Sequence, residues 1–149
     1  RMQPLADRTA AVLFQMPPQM PRDVDRLEAF LRQLPAGTRA AFEFRDPRWH
    51  VPDVTDVLAR HNAAFVPFEL AEQRAPAVAT ADFVYVRLHG REAKYRGRYG
   101  RAQLQPWADW LRGQTADGRD AFVFFDNTDH ADDAVRDALE MRELLHTVL

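Results

Sequence analysis

The sequence predicts an α/β fold in which about five βα units lay down parallel strands. Short apolar runs rich in Phe, Val and Ala alternate with stretches of helical periodicity, the pattern of βαβ units with right-handed crossovers. The runs are apolar on both faces except at their carboxyl ends, as strands buried in a parallel sheet are. Three of them end in polar residues: Ala41-Phe-Glu-Phe-Arg45, Tyr85-Val-Arg-Leu-His-Gly90 and Val123-Phe-Phe-Asp-Asn127.

Taken in order, the first strand is expected over Ala11–Met16. Val24, Leu27, Phe30, Leu31 and Leu34 then recur at helical spacing; Pro21 and Asp23 open that helix and Pro35-Ala-Gly37 closes it. A strand over Arg39–Arg45 leads to a helix marked by Val54, Val57, Leu58 and His61 after Pro52-Asp53. The third strand, Ala63–Glu69, is followed by the only connection without a clear helix, since Leu70–Asp82 holds two Ala-rich turns and Pro76. Phe83–His89 forms the fourth strand. Leu104, Trp107, Ala108 and Leu111 define the next helix, with Pro106 tolerable in a first turn, and Trp107 and Trp110 are read as packing residues. Asp120–Asp126 is the last strand, and Val135, Ala138, Leu139, Met141 and Leu145 mark the final amphipathic helix. Periodicity does not choose between an open doubly wound sheet and a barrel. No glycine-rich phosphate loop follows the first strand, which removes support for a nucleotide-binding open sheet.

With 149 residues, 46% of them hydrophobic, the chain suffices for one domain with a sizeable core. Ten Phe, three Trp and three Tyr exclude disorder. The absence of cysteine removes disulfides, thiolate nucleophiles and cysteine-ligated metals. There is no apolar stretch of membrane-spanning length and no signal-peptide core, so a cytoplasmic location without membrane partners is the expectation.

The net charge of -2 hides an asymmetry: residues 86–101 carry six Lys or Arg against one Glu, net +5, and the remainder sums to -7. A basic connection interleaved with Gly and Tyr can offer amides, cationic heads and rings to an anion, or it can be a solvated arginine-rich loop.

Side chains along a strand alternate faces, so Glu43, Arg45, Arg87, His89 and Asn127 share the odd parity of Gln15, while Phe42, Phe44, Val86, Leu88, Phe122 and Phe124 are free to meet helices on the other face. In this reading Glu43 and His89 are the acid/base candidates, because they titrate usefully near neutrality with modest shifts. Arg45, Arg87 and the connection bearing Lys94, Tyr95 and Tyr99 hold a small anionic ligand such as a phosphate or carboxylate ester, with Gln15 and Asn127 orienting it. The competing structural reading is a buried Glu43–arginine ion pair. No serine elbow is present, which disfavours nucleophilic acyl transfer. No cofactor is predicted. A divalent metal on Glu43, Glu69, His89 and Asp126 is the alternative, weakened by the two arginines and by the even parity of Asp126. A second alternative is a non-catalytic binding module in which Tyr95 and Tyr99 stack on nucleic-acid bases, against which the overall negative charge argues. Trp49, after Arg45-Asp-Pro-Arg, is expected either to roof the site or to anchor its loop. His61 is read as packing, while His130 and His146 lie outside the cluster.

The motifs Val12-Leu-Phe-Gln-Met-Pro-Pro18, Phe42-Glu-Phe-Arg-Asp-Pro-Arg-Trp49, Tyr85-Val-Arg-Leu-His-Gly90, Tyr95-Arg-Gly-Arg-Tyr99 and Phe124-Phe-Asp-Asn127 together resemble the YecE-like family, a bacterial family of unknown function. The resemblance covers nearly the whole chain and implies a TIM-barrel-type fold with no established reaction. A full (β/α)₈ barrel takes about 250 residues. The chain matches only the later portion, so residues 1–149 are expected to form a single, N-terminally incomplete domain, a partial TIM barrel whose first three strands are absent. Residues 1–9 would then be the tail of a preceding helix, and the missing strands would come from the rest of the chain or from another copy. Glu69 stands where similar proteins tend to place an Asp, and His50 has no clear counterpart.

Overall fold

Each predicted strand forms, and the carboxyl ends of four of them deliver the polar residues. The computed structural model describes residues 9–130 and 132–146, so the expectation for residues 1–8 lies outside the described residues. The elements run β1 (Val12–Met16), α1 (Val24–Leu31), β2 (Ala40–Phe44), α2 (Pro52–Arg60), β3 (Ala64–Phe65), β4 (Phe68–Leu70), β5 (Gln73–Arg74), β6 (Phe83–Leu88), α3 (Gly100–Thr115), β7 (Asp120–Phe125) and α4 (Asp133–His146), with a 3-10 turn at Pro47–Trp49. The result is an α/β fold with parallel sheets and, among the described residues, four helices.

The strand order is β1-β2-β3 in one sheet and β5-β4-β6-β7 in the other, and every pairing is parallel except β4 with β5. β3 and β4 are halves of one extended run interrupted at Val66-Pro67. Before the interruption the run bonds to β2, Val66 N donating to Phe42 O at 2.9 Å; after it the run bonds to β6, Arg87 N donating to Pro67 O at 3.1 Å. Proline has no N–H to give to a ladder and so suits the crossing point. On the side of β3 that no strand covers among the described residues, the Thr80 hydroxyl substitutes for one: it accepts from Phe65 N at 2.8 Å and donates to Ala63 O at 2.6 Å.

One face of the sheets packs on helices. Phe42, Phe44 and Phe65 join Leu27, Leu31, Val54, Leu58 and Trp49, while Val84, Val86, Leu88, Val123 and Phe125 join Leu104, Leu111, Met141 and Leu144. The opposite, inner face carries Ala11, Leu13, Ala41, Ala64, Val66, Phe83, Tyr85 and Phe122. Two expectations change here, the inner face of β7 and the buried face of α4, and one holds, the connection Leu70–Asp82. In β7 the inner residues are even-numbered, so Phe122 and Phe124 turn away from the helices; Phe124 stacks on Tyr85 at 4.8 Å. The connection Leu70–Asp82 has no helix, forming instead the short hairpin strand β5 and an extended return. α4 buries Asp137, Met141 and Leu144, one face at helical spacing, and leaves Val135 and Leu139 exposed at 59% and 44%.

α3 also begins a turn earlier than its apolar spacing indicates, which places Pro106 inside the helix. Its N-terminus is fixed from outside the segment: the Asp137 carboxylate of α4 accepts from Tyr99 N at 2.8 Å and Gly100 N at 3.1 Å. Two such charge-assisted bonds offset part of the roughly 3 kcal/mol that an interior proline costs.

Replacing Thr80 with Val keeps the volume and removes the surrogate strand. The variant is expected to lose about 2–4 kcal/mol in urea unfolding, because one buried N–H and one buried C=O lose their partner; Thr80→Ser should retain most of the stability.

Candidate functional site

The carboxyl ends of β1, β2, β6 and β7 meet on the inner face in one hydrogen-bonded network. At its centre lies the Glu43 carboxylate, 0% exposed. Its Oε1 accepts from Arg45 Nε, its Oε2 accepts from Arg87 Nη1 at 3.0 Å, and His89 Nε2 stands 3.6 Å from Oε2. Burial pushes the Glu43 pKa up, but the Arg45 and Arg87 guanidiniums outweigh it and hold the carboxyl below its usual value. Arg45 Nη2 lies 2.9 Å from His89 Nε2, and its guanidinium covers the Phe68 ring at 4.8 Å. Arg87 spreads over three partners: Gln15 Oε1 at 2.9 Å, Glu43 Oε2, and Asp126 Oδ2 through Nε at 3.1 Å and Nη2 at 2.8 Å. Two guanidiniums thus face two carboxylates, and the network is charge-balanced.

Gln15, Glu43, Arg45, Arg87 and His89 converge as their parity requires. Asn127 does not. It points outward, where its Nδ2 donates to Gly97 O at 3.1 Å and to Asp137 Oδ2 at 2.8 Å, so it ties the basic connection to α4. Asp126 takes the inner position instead, because each strand sets its own phase. The alternative apolar set Val123 and Phe125 was equally available to the helices, and that is the signal the odd-parity reading passed over.

Glu69 pairs elsewhere, with Arg74 at 3.1 Å and with Arg91 at 3.7 Å. The four-residue metal set therefore does not assemble, and among the described residues no cluster of three or more His, Asp or Glu is placed to hold a metal. Tyr99 is also withdrawn: it is buried, its hydroxyl accepts from Gly90 N at 3.1 Å, and burial pushes its phenol well above the usual value. It has no free face to stack on a ligand.

Most of the basic connection is neutralised internally. Arg96 pairs with Asp129 at 2.8 Å, and Arg98 with Glu140 at 3.0 Å and Asp137 at 3.4 Å. Lys94 and Tyr95 remain exposed. Tyr95 holds φ at 64°, a left-handed conformation that is strained for an aromatic residue, and its ring meets His89 edge-on at 5.8 Å. The close turn depends on Gly90, at φ 99°, where a Cβ would come within 2.2 Å of Arg96 O.

The Asp-Pro-Arg-Trp turn anchors rather than roofs. Asp46 accepts from Arg48 N at 2.9 Å and from its guanidinium, contacts that hold its carboxyl down to about 2. Trp49 is 2% exposed, stacks on Phe44 at 4.7 Å and donates to Met20 O at 3.0 Å. His50 Nε2 contacts Phe44 O at 2.8 Å, closing the same turn.

The family described as "Protein of unknown function DUF72" matches residues 1–148. The chain belongs to this DUF72 family. That membership is consistent with the YecE-like resemblance of its motifs. A search of curated proteins gives no match. Among solved structures, a DUF72 protein from Thermotoga maritima superposes with a TM-score of 0.86 at 24% identity, over 98% of this chain and 62% of its own. A DUF72 protein from Enterococcus faecalis does so with a TM-score of 0.85 at 18% identity, over 99% and 63%. A second crystal structure from E. faecalis gives 0.83 at 19%, over 99% and 66%. The chain therefore spans less than two thirds of the length of these DUF72 structures, and at such identities the likeness establishes the fold alone. Among the described residues no helix is long and apolar enough to cross a membrane.

A depressed carboxylate pKa stabilises the folded state above the group's unfolded value, near 4.3 for Glu, and that stability is lost as pH falls through the lower folded value. Stability of the protein is accordingly expected to fall on acidification below about pH 4.3. Glu43→Gln should cost roughly 3 kcal/mol at neutral pH by uncovering two guanidiniums, and should flatten the acid limb of the urea-unfolding profile.

Proposed function

We propose that this DUF72 chain forms the later part of a (β/α) barrel and carries at its strand ends the ligand site of an enzyme acting on a small anionic molecule. The observation that supports this best is the convergence of Gln15, Glu43, Arg45, Arg87, His89 and Asp126 from four strands on the inner face, beside a strained Tyr95. Polar residues gathered at carboxyl strand ends in such folds read as binding or catalytic, since an interior built for stability alone is filled with branched apolar side chains. Among the described residues β1 and β7 each pair on one side only, and their other edges are where further strands, from the rest of the chain or from another copy, would complete the barrel. The setting favoured is cytoplasmic.

Because Glu43 and Asp126 compensate Arg45 and Arg87, the anion would not sit in an empty pair of guanidiniums. It would take the remaining N–H of Arg87 from the open side, with Lys94 supplying uncompensated charge and the Tyr95 hydroxyl a neutral donor. Glu43 and His89, the acid/base candidates, lie buried behind Arg87 and Asp126 and would act on a ligand only through them. No resident cofactor is required by this reading. Nucleic acid is disfavoured, because the arginines of the basic connection are largely spent on carboxylates of the protein itself.

A thermal-shift screen of phosphorylated and carboxylated metabolites on the full-length protein tests the proposal, with stabilisation by one class as the expected result. Lys94→Gln should weaken that response by about three- to tenfold without lowering the melting temperature of the free protein. Arg87→Ala should weaken it further. If Arg87→Ala unfolds the protein while Lys94→Gln leaves every ligand response unchanged, the network is structural and the proposal fails.

A further inference from the structure

We infer that Asp126 is the group of this site that meets the ligand as acceptor, and that the ligand therefore carries a hydroxyl next to its anionic group. The inference rests on the ligand-site reading above and narrows its substrate class. It follows from which nitrogens and oxygens of the network are already used.

Glu43 is closed on both oxygens by Arg45 and Arg87 and is wholly buried, so no ligand atom reaches it without dismantling the network. His89 is closed at Nε2. The atom facing it, Arg45 Nη2 at 2.9 Å, belongs to a guanidinium, which has only donors. Nε2 must therefore accept, which makes the ring neutral and puts its proton on Nδ1. That nitrogen is buried, makes no hydrogen bond, and lies 3.3 Å from Asp126 Oδ2. Arg87 Nε and Nη2 converge on the same oxygen. Both Arg87 nitrogens bond to Oδ2 and His89 Nδ1 only approaches it, while among the described residues none bonds to Oδ1, and the Asp126 side chain is 33% exposed. The carboxylate is thus held by one oxygen and presents the other.

An acceptor-only oxygen in that position calls for a donor on the ligand. A phosphate or carboxylate bearing a neighbouring hydroxyl supplies it, the anionic group lying toward Lys94 and Arg87 and the hydroxyl donating to Oδ1. Should the hydroxyl proton transfer, the ligand O–H bond breaks, the Oδ1–H bond forms, and the electron pair stays on the ligand oxygen beside the Arg87 cation. In this arrangement Arg87 is the positioning residue for Asp126.

Two measurements on the full-length protein test the inference. The first is a long-range ¹H–¹⁵N spectrum of the histidine rings, in which His89 should show the neutral Nδ1–H tautomer. A proton on Nε2 would release His89 from Arg45 and overturn the assignment, whatever the ligand. The second compares glycerol phosphate with propyl phosphate, which lacks the hydroxyls, by calorimetric titration. Glycerol phosphate should bind about tenfold more tightly, the value of one charge-assisted hydrogen bond. Asp126→Asn should reduce that ratio to about twofold, since the remaining amide acceptor is uncharged. Equal binding of the two phosphates to the unmodified protein would overturn the role of Asp126 while leaving the anion site standing. If neither phosphate binds, the anion reading fails and the inference about its hydroxyl fails with it.

Discussion

A carboxylate with no access to water has to be compensated where it lies, and Glu43 imposes that requirement on everything around it. Charge burial is unfavourable unless the geometry is good and each lone pair is used. Arg45 satisfies one oxygen from two residues along the same strand. Arg87 satisfies the other from the second sheet, and its own second carboxylate, Asp126, balances the positive charge that Arg87 adds to the Glu43–Arg45 pair. The His89 tautomer follows from Arg45 in turn. A site that looks like a set of independent functional residues is one electrostatic unit, in which removal of any member leaves another exposed to an unpaired charge.

A second carboxylate organises the outer side in the same way. Asp137, 0% exposed, receives the N-terminal amides of α3 and the Asn127 side chain, while Arg98 approaches at 3.4 Å. The end of β7, the basic connection, the start of α3 and the middle of α4 are thereby joined at one point. Tyr95 is presented to His89 from this braced connection rather than from a free loop, which is consistent with the strained backbone it tolerates.

The strands and most helices were legible because apolar periodicity is local. The Asp23 cap of α1, whose side chain accepts from Arg26 N at 2.9 Å, is of the same kind. What escaped was set by partners distant in sequence. The inner phase of β7 depends on packing against α3 and α4, so Asp126 and Asn127 exchanged places relative to the expectation. The start of α3 depends on Asp137, thirty-seven or more residues away. The basic run 86–101 looked like a receptor for anions because the acids that neutralise it, Glu69, Asp129, Asp137 and Glu140, are scattered along the chain. Within the site, Glu43, Arg45, Arg87 and His89 were found because alternation holds inside a strand; the partition of their hydrogen bonds required coordinates.

The break at Val66-Pro67 gives the network a mechanical role. Backbone bonding passes from the β1-β2-β3 sheet to the β4-β6-β7 sheet through a single interrupted strand. Gln15, Glu43 and Arg45 belong to the first sheet, Arg87, His89 and Asp126 to the second, and their side chains clamp the two together above the break. A molecule that takes a bond from Arg87 loosens or replaces one of those clamps. Occupancy would then be felt as a change in the stiffness of the seam, and amide exchange at Val66 and Arg87, whose backbone bonds flank the proline, is where such coupling would be visible.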